Sequence, residues 1–274
     1  MASASLTNSK RIAAYNAVDN HLDASTKIIG IGSGSTVVYV IERILQRGNL
    51  KKVENNENNK NLMGLDVNSC VFIPTSFQSR QLIVDNGLNL GDVDQYPAID
   101  ITIDGADEVD ENLNVIKGGG GCHLREKVVA EISKKFIIVA DHTKKSKVLG
   151  EKWTQGIPIE VIPFCYVLVS SSLIKLGCHN QILRMAKAKA GPVITDNGNF
   201  IIDAHFGHLN GTNTPKEILK RIKLLTGVVE VVLVFSFNLT KETKIELNRN
   251  LLVWILINQK VQTEWLGALI TVYY

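Results

Sequence analysis

The sequence predicts an α/β protein in which a mostly parallel sheet carries helices on both faces and a smaller α+β unit follows it. Three observations support this. Short apolar runs alternate with stretches of helical periodicity up to about residue 150. Glycine-rich or acidic loops stand directly behind those runs, as they do at the carboxyl edge of a parallel sheet. Beyond Gly156 the order changes to a turn between two apolar runs, then a helix, then a strand.

The elements follow in order. Lys27 to Ile31 is a short apolar strand, and GSGST leads from it into a helix whose Val37, Val40, Ile41, Ile44 and Leu45 repeat at helical spacing until Gly48 ends it. Residues 54–61, ENNENNKN, are polar and aperiodic, which marks a solvated surface loop. Cys70 to Ile73 is the next strand. Ile99, Ile101 and Ile103 alternate in a third that ends at Asp104, a helix starts near Leu124, and Phe136 to Ala140 is a buried strand. Residues 1–157 thus read as one Rossmann-like unit. Residues 158–235 read as a small α+β, ferredoxin-like unit. It contains a hairpin from Ile194 to Ala204 that turns at Asp196, Asn197 and Gly198. Its helix starts at Thr214, Pro215 and Glu217, buries Ile218, Leu219, Ile222 and Leu225, and stops at Gly227. A strand from Val228 to Phe235 closes the unit.

Composition narrows the function classes. The 274 residues are 45% hydrophobic and 21% charged, as in a soluble globular protein. The net charge of +3 is dispersed along the chain, which argues against nucleic-acid binding and leaves room for a local basic site that takes a small anion. Cys70, Cys122, Cys165 and Cys178 have no CxxC spacing, so reduced thiols and a cytoplasmic location are expected. The amino terminus lacks a signal-like apolar core, and the longest apolar run, Leu251 to Ile257, is far short of the roughly 20 residues of a membrane helix.

Two segments concentrate the chemistry: DGADEVD, from Asp104 to Asp110, and KGGGGCHLREK, from Lys117 to Lys127. Asp104 and Asp107 stand at the end of a strand, where paired acids can exchange protons with a sugar's hydroxyls, since mutual repulsion keeps one carboxyl protonated. An Asx-type turn is the structural alternative for either acid singly. Four consecutive glycines, Gly118 to Gly121, imply close backbone approach or φ values that other residues resist. Lys117 before them can set an ammonium beside a developing oxyanion. Glu126 falls opposite Leu124, Val128, Val129 and Ile132, so it is expected to face away from the core, with a helix N-terminus lowering its pKa and substrate or a lid needed to raise it again. Alternatively it is a helix-start acid paired with Arg125 or Lys127. In GSGST, the Ser33, Ser35 and Thr36 hydroxyls and the N–H groups near a helix start suit a phosphate, although neither the P-loop lysine nor the third dinucleotide glycine is present. His205 and His208 lack further ligands at metal spacing, and Cys122 has no partner base.

Together these motifs resemble the ribose-5-phosphate isomerase family of type A. The likeness runs through GIGSGST, DGADEVD, KGGGGCHLREK, ADHTKK at Ala140 to Lys145, IEVIPF at Ile159 to Phe164 and VITDNGNFIID at Val193 to Asp203, and covers most of Lys10 to about Phe235. The resemblance implies interconversion of ribose 5-phosphate and ribulose 5-phosphate through a cis-enediolate, with no metal and no organic cofactor. It implies that Glu126 is the base, that Lys117 and the N–H groups of Gly118, Gly119 and Gly120 stabilise the enediolate oxygens, and that Asp104 and Asp107 hold sugar hydroxyls and assist ring opening beside Gly105 and Ala106. Ser33, Gly34, Ser35, Thr36, Lys144 and Lys10 are the implied substrate contacts. A homodimer or homotetramer is implied as well.

The chain departs from the family pattern after about Phe235. Residues 236–274 either pack in an unfamiliar way, for instance at a subunit interface, or replace the true end through a reading-frame error and leave a sheet edge uncovered. Two rival functions remain: a sibling sugar-phosphate or CoA-transferase-like enzyme on the same strand-loop-helix scaffold, and, more distant, a non-catalytic sugar-phosphate sensor. The combined DGAD, KGGGG and REK segments argue against the first, and the presence of Lys117 and Glu126, which a sensor would be expected to lose, argues against the second.

Overall fold

In the computed structural model, residues 2–50, 65–231, 233–234, 245–248 and 251–257 are described. The Asn-rich segment 54–61 and most of the tail lie outside them. In chain order the elements are α1 (Ala2–His21), β1 (Ile28–Ile31), α2 (Val37–Leu50), β2 (Val71–Pro74), α3 (Phe77–Asp85), β3 (Ile99–Gly105), β4 (Glu108–Val109), β5 (Val115–Ile116), α4 (His123–Glu131), β6 (Ser133–Asp141), β7 (Ile157–Val161), α5 (Tyr166–Lys175), β8 (Asn180–Leu183), β9 (Phe200–His205), α6 (Pro215–Lys223), β10 (Val228–Val231), β11 (Leu233–Val234), β12 (Ile245–Asn248) and β13 (Leu251–Ile257).

The larger sheet has the order β12-β13-β6-β3-β1-β2, and its β6, β3, β1 and β2 are mutually parallel. Alternation along β6 explains its two covered faces. Ile137 and Val139 pack with Ile101 and Ile103 of β3 against α1 and α2, while Phe136 and Ile138 pack with Val109, Leu113 and Val115 on the other side. The chain leaves β1 toward β2 and leaves β3 toward β6, so the order reverses between β1 and β3. The loops after these two strands flank the crevice where open α/β sheets bind ligands.

The smaller sheet, β10-β7-β9-β8, is antiparallel and follows the sequence β7-α5-β8-β9-α6-β10, a ferredoxin-like arrangement. Its core is Ile159, Val161, Val169, Leu173, Ile202, Ile218 and Ile222. As its sequence predicts, α6 starts with Pro215 behind Thr214, whose hydroxyl accepts the Glu217 N–H. A third sheet, β11-β5-β4, joins the two.

Several expectations need correction. Gly48 does not end α2, which continues to Leu50; a Cβ on Gly48 would lie 3.2 Å from Val67, so this glycine allows a close approach. The turn at Asp196 to Gly198 forms, but Ile194 is in no strand, and β9 pairs with β7 and β8. The strand expected over Val228 to Phe235 divides into β10, which pairs with β7, and β11, which pairs with β5. α1 escapes periodicity because its buried stripe is largely alanine: Ala13, Ala14 and Ala17, with Val18. Finally, the edge of β6 is covered: β13 pairs antiparallel with it from Lys135 to Asp141.

Candidate active site

The loops after β1 and β3 are tied together by one carboxylate. Asp104 is fully buried near the end of β3, and its Oδ1 accepts the N–H of Ser33 (3.0 Å) and of Gly105 (2.7 Å). A Cβ on Gly32 would overlap that carboxylate, which is why the β1 loop needs glycine there. The same Oδ1 lies 3.0 Å from the Lys117 Nζ. Lys117 follows β5, donates to the Gly105 carbonyl at 2.6 Å and stands 3.3 Å from Glu126 Oε1. Asp104, Lys117 and Glu126 therefore form one ionic cluster at the carboxyl edge, with side chains 0%, 4% and 5% exposed.

Glu126 does not face away from the core. The buried positions of α4 are His123, Glu126 and Val129, while Val128 is exposed. Burial pushes the Glu126 carboxyl up to about 8; the Lys117 ammonium pulls it down, and Asp104 and Asp107 add to the rise. The loss of water contact outweighs the helix-terminus effect expected from sequence, and the chain itself supplies the desolvation without a lid. For Lys117, burial alone would lower the pKa, but the carboxylates of Asp104, Glu126 and Asp107 outweigh it and hold the ammonium firmly charged. Asp104 Oδ2 and Glu126 Oε2 have no hydrogen-bond partner among the described residues.

The glycine run combines both uses expected of it. Gly118 and Gly121 have φ of +95° and +78°. Gly119 donates to Asp107 Oδ2 at 2.7 Å, and a Cβ there would meet Trp153 at 2.7 Å and Asp107 at 2.8 Å. Its N–H is thus already engaged, whereas those of Gly118 and Gly120 are unused among the described residues.

These groups border a cavity of about 260 Å³. Its wall includes Gly105, Ala106, Asp107, Lys117, Gly118, Gly120 and Glu126, from the loops after β3 and β5 and from α4, and Lys10, Ser33, Gly34, Ser35, Thr36 and Lys144, from α1, the loop after β1 and the turn after β6. Asp104 and Gly119 support the wall from behind it. In the second group the Lys10 ammonium donates to Ser35 Oγ (2.9 Å), the Gly34 N–H donates to Gln78 Oε1 (2.8 Å), and Thr36 precedes the first turn of α2. Cationic side chains, hydroxyls and a helix start suit a phosphate.

The cavity wall also contains Cys122, from the glycine-rich segment, and residues that the sequence did not assign to the site: Ser76, Phe77, Gln78, Ala140, Asp141 and Asp196. For Ser76, Phe77 and Gln78 a signal existed, since TSFQS follows β2 at the same sheet edge. Asp196 arrives from the smaller sheet, where its carboxylate accepts the Phe77 N–H at 2.8 Å and no local pattern announces it. Burial, with Glu126 and Asp196 nearby, pushes the Cys122 thiol up to about 12, so it remains an unreactive thiol. His123 is fully buried and held neutral: burial pushes it down to about 4, and the opposing pull of Glu160 is offset by Arg184 and Lys117. Among the described residues no three His, Cys, Asp or Glu side chains form a metal-holding group.

Comparison with known proteins agrees with this arrangement. The family model "Ribose 5-phosphate isomerase A (phosphoriboisomerase A)" matches residues 71–245, ten residues past Phe235. A ribose-5-phosphate isomerase of Mycosarcoma maydis is 57% identical over 225 residues, which is 81% of this chain and 72% of that protein. Among solved structures, ribose 5-phosphate isomerase from Plasmodium falciparum superposes with a TM-score of 0.71 at 36% identity, covering 84% of this chain and 91% of that one. A D-ribose-5-phosphate isomerase in complex with phospho-erythronic acid gives a TM-score of 0.71 at 35% identity over the same shares of 84% and 91%.

Proposed function

The chain belongs to the ribose 5-phosphate isomerase A family, and we propose that Glu126, Lys117, Asp104 and Asp107 carry the family's reaction in it. It interconverts ribose 5-phosphate and ribulose 5-phosphate, an aldose to ketose step of the pentose phosphate pathway.

In our reading the phosphate sits against Lys10, Ser33 to Thr36 and Lys144, and the sugar carbons extend toward Glu126. Asp107, in the cavity wall, takes the proton of the C1 hydroxyl as the bond from C1 to the ring oxygen breaks, and returns it to that oxygen, which becomes a free hydroxyl. The Glu126 carboxylate removes the proton from C2 of the open aldose. The electron pair enters the C1–C2 bond, and the carbonyl oxygen on C1 gains the negative charge. That oxygen faces the Lys117 ammonium and the unused N–H groups of Gly118 and Gly120. The hydroxyl proton on C2 passes to the oxygen on C1, the C2–O bond becomes the ketone, and Glu126 returns its proton to C1. Asp104 acts one step back, fixing Lys117 and the Ser33 loop.

The observation that carries this reading is the buried Asp104–Lys117–Glu126 cluster, which sets a carboxyl of raised pKa 3.3 Å from a fixed ammonium beside the cavity. The relative that holds phospho-erythronic acid supports it, because such a molecule combines a phosphate with a carboxylate whose two oxygens resemble those of an enediolate. The test is conversion of ribose 5-phosphate by the purified chain with chelator present, beside Glu126→Gln. Activity is expected to survive the chelator and to vanish in the variant; near-normal turnover by the variant would overturn the assignment.

We place the activity in the cytoplasm and in a homodimer or homotetramer. No helix among the described residues is long and apolar enough to cross a membrane. The exposed Phe164, Val167, Leu168 and Ile174 on and beside α5 support self-association. Light scattering that returned a monomer mass at working concentration would count against the oligomer.

A further inference from the structure

We infer that Arg184, contributed by the smaller sheet, is a positioning residue for the isomerisation: it turns the peptide units of the glycine loop so that their N–H groups meet Asp107 and the reacting oxygens. This assignment rests on the active site proposed above.

Arg184 follows β8, and its side chain is 17% exposed. Its Nε and Nη2 grip the two carboxylate oxygens of Asp203 in β9, which fixes the plane of the guanidinium. The remaining nitrogen, Nη1, donates to the carbonyl oxygens of Gly118 at 3.2 Å and Gly119 at 3.0 Å. In a trans peptide the carbonyl and the following N–H point in opposite directions. Holding the Gly118 carbonyl toward Arg184 therefore directs the Gly119 N–H the other way, and there it meets Asp107 at 2.7 Å. Holding the Gly119 carbonyl directs the Gly120 N–H away from Arg184, and Gly120 lines the cavity.

A glycine loop needs such a clamp. Glycine peptides rotate with little steric penalty, and an oxyanion donor is useful only if it is already aimed when charge develops. The same unit adds further support: Pro158 of β7 lies against Gly118, beside His123 of α4, and Ile201 of β9 lies against Gly121. The smaller sheet thus holds one side of the catalytic loop, opposite the Asp107 contact.

The test compares Arg184→Met and Arg184→Lys with the parent chain in three measurements: kcat and KM for ribose 5-phosphate, inhibition by phospho-erythronic acid, and inhibition by inorganic phosphate. A mis-aimed donor should cost about tenfold to a hundredfold in kcat. It should weaken the phosphorylated acid by a similar factor, with KM and phosphate inhibition moving by less than about threefold. Arg184→Lys keeps a charge but not the fork, so it should fall between the parent and Met and decides the matter if the Met variant loses its circular-dichroism signature. Parental kcat and parental acid inhibition in a folded variant would overturn the assignment. So would equal losses for the acid and for inorganic phosphate, since they would mark a general structural defect. A parent chain that bound the acid yet did not turn over substrate would fail the isomerase reading, while the ratio of acid to phosphate inhibition would still report on Arg184.

Discussion

The two ends of the cavity solve different problems. At the reacting end, Asp104, Lys117 and Glu126 are almost wholly removed from water and hold one another at 3.0 and 3.3 Å. At the phosphate end, Gly34 and Ser35 are exposed and the Lys10 ammonium meets Ser35 Oγ in an exposed contact. Burial is what raises the proton affinity of Glu126, and it makes each remaining interaction stronger and less tolerant of change. The phosphate end needs only an attractive, hydrated surface for an anion that arrives from water and leaves again. Perturbations at the first end should therefore act on turnover, and at the second on affinity.

The largest expected effect is that of Glu126→Gln, which keeps the shape and removes the base: kcat should fall by about 10²- to 10⁴-fold in a direct isomerisation assay, with KM little changed. Lys117→Met should cost about 10²- to 10³-fold through the lost oxyanion partner. Because Lys117 also pulls the Glu126 carboxyl down, its removal should move the rising limb of the pH profile to still higher pH. Two buried acids would lose their counter-ion, so this variant should also be destabilised, by about 3 to 5 kcal/mol in denaturant unfolding. A mild effect of either substitution would break the contrast between the two ends.

Stability offers an independent view of the same carboxyl. Glu126 binds its proton more tightly in the folded chain than the ordinary value of 4.5 allows, with a midpoint near about 8. Its contribution to stability is full below about 4.5 and is lost as pH rises through about 8. Thermal unfolding of Glu126→Gln against the parent should show a difference that grows in favour of the variant across that interval. A difference independent of pH would show that burial does not set the proton affinity.

The smallest effects belong to the phosphate end. Thr36→Ala and Lys10→Ala should raise KM by a few fold with kcat nearly intact, and added salt should narrow the difference for Lys10, whose exposed charge is screened. A loss of kcat with unchanged KM would blur the distinction between the ends.

How far this was legible in the sequence depends on whether the signal was local. β1, β3 and β6 announce themselves through contiguous apolar residues, and the loops behind them carry most of the site. The face of α4 was misread because periodicity selects apolar positions, whereas its buried side includes His123 and Glu126, and Glu126 is paired there with a lysine nine residues upstream. The run from Leu251 to Ile257 is a strand only by virtue of pairing with β6, a partner more than a hundred residues away. Arg184 and Asp196 reach the site from the smaller sheet, and only the three-dimensional register of β8 and β9 brings them there.

The most direct test of the central claim is the pH dependence of kcat/KM for ribose 5-phosphate, measured for the parent chain and Glu126→Gln across a range that brackets about 8. Proton abstraction needs the carboxylate, so the parent should rise with pH and level off above about 8, while the variant should lie at least about a hundredfold lower and show no such limb. A variant that kept the same rising limb, or turned over within tenfold of the parent, would contradict the role of Glu126 as the base.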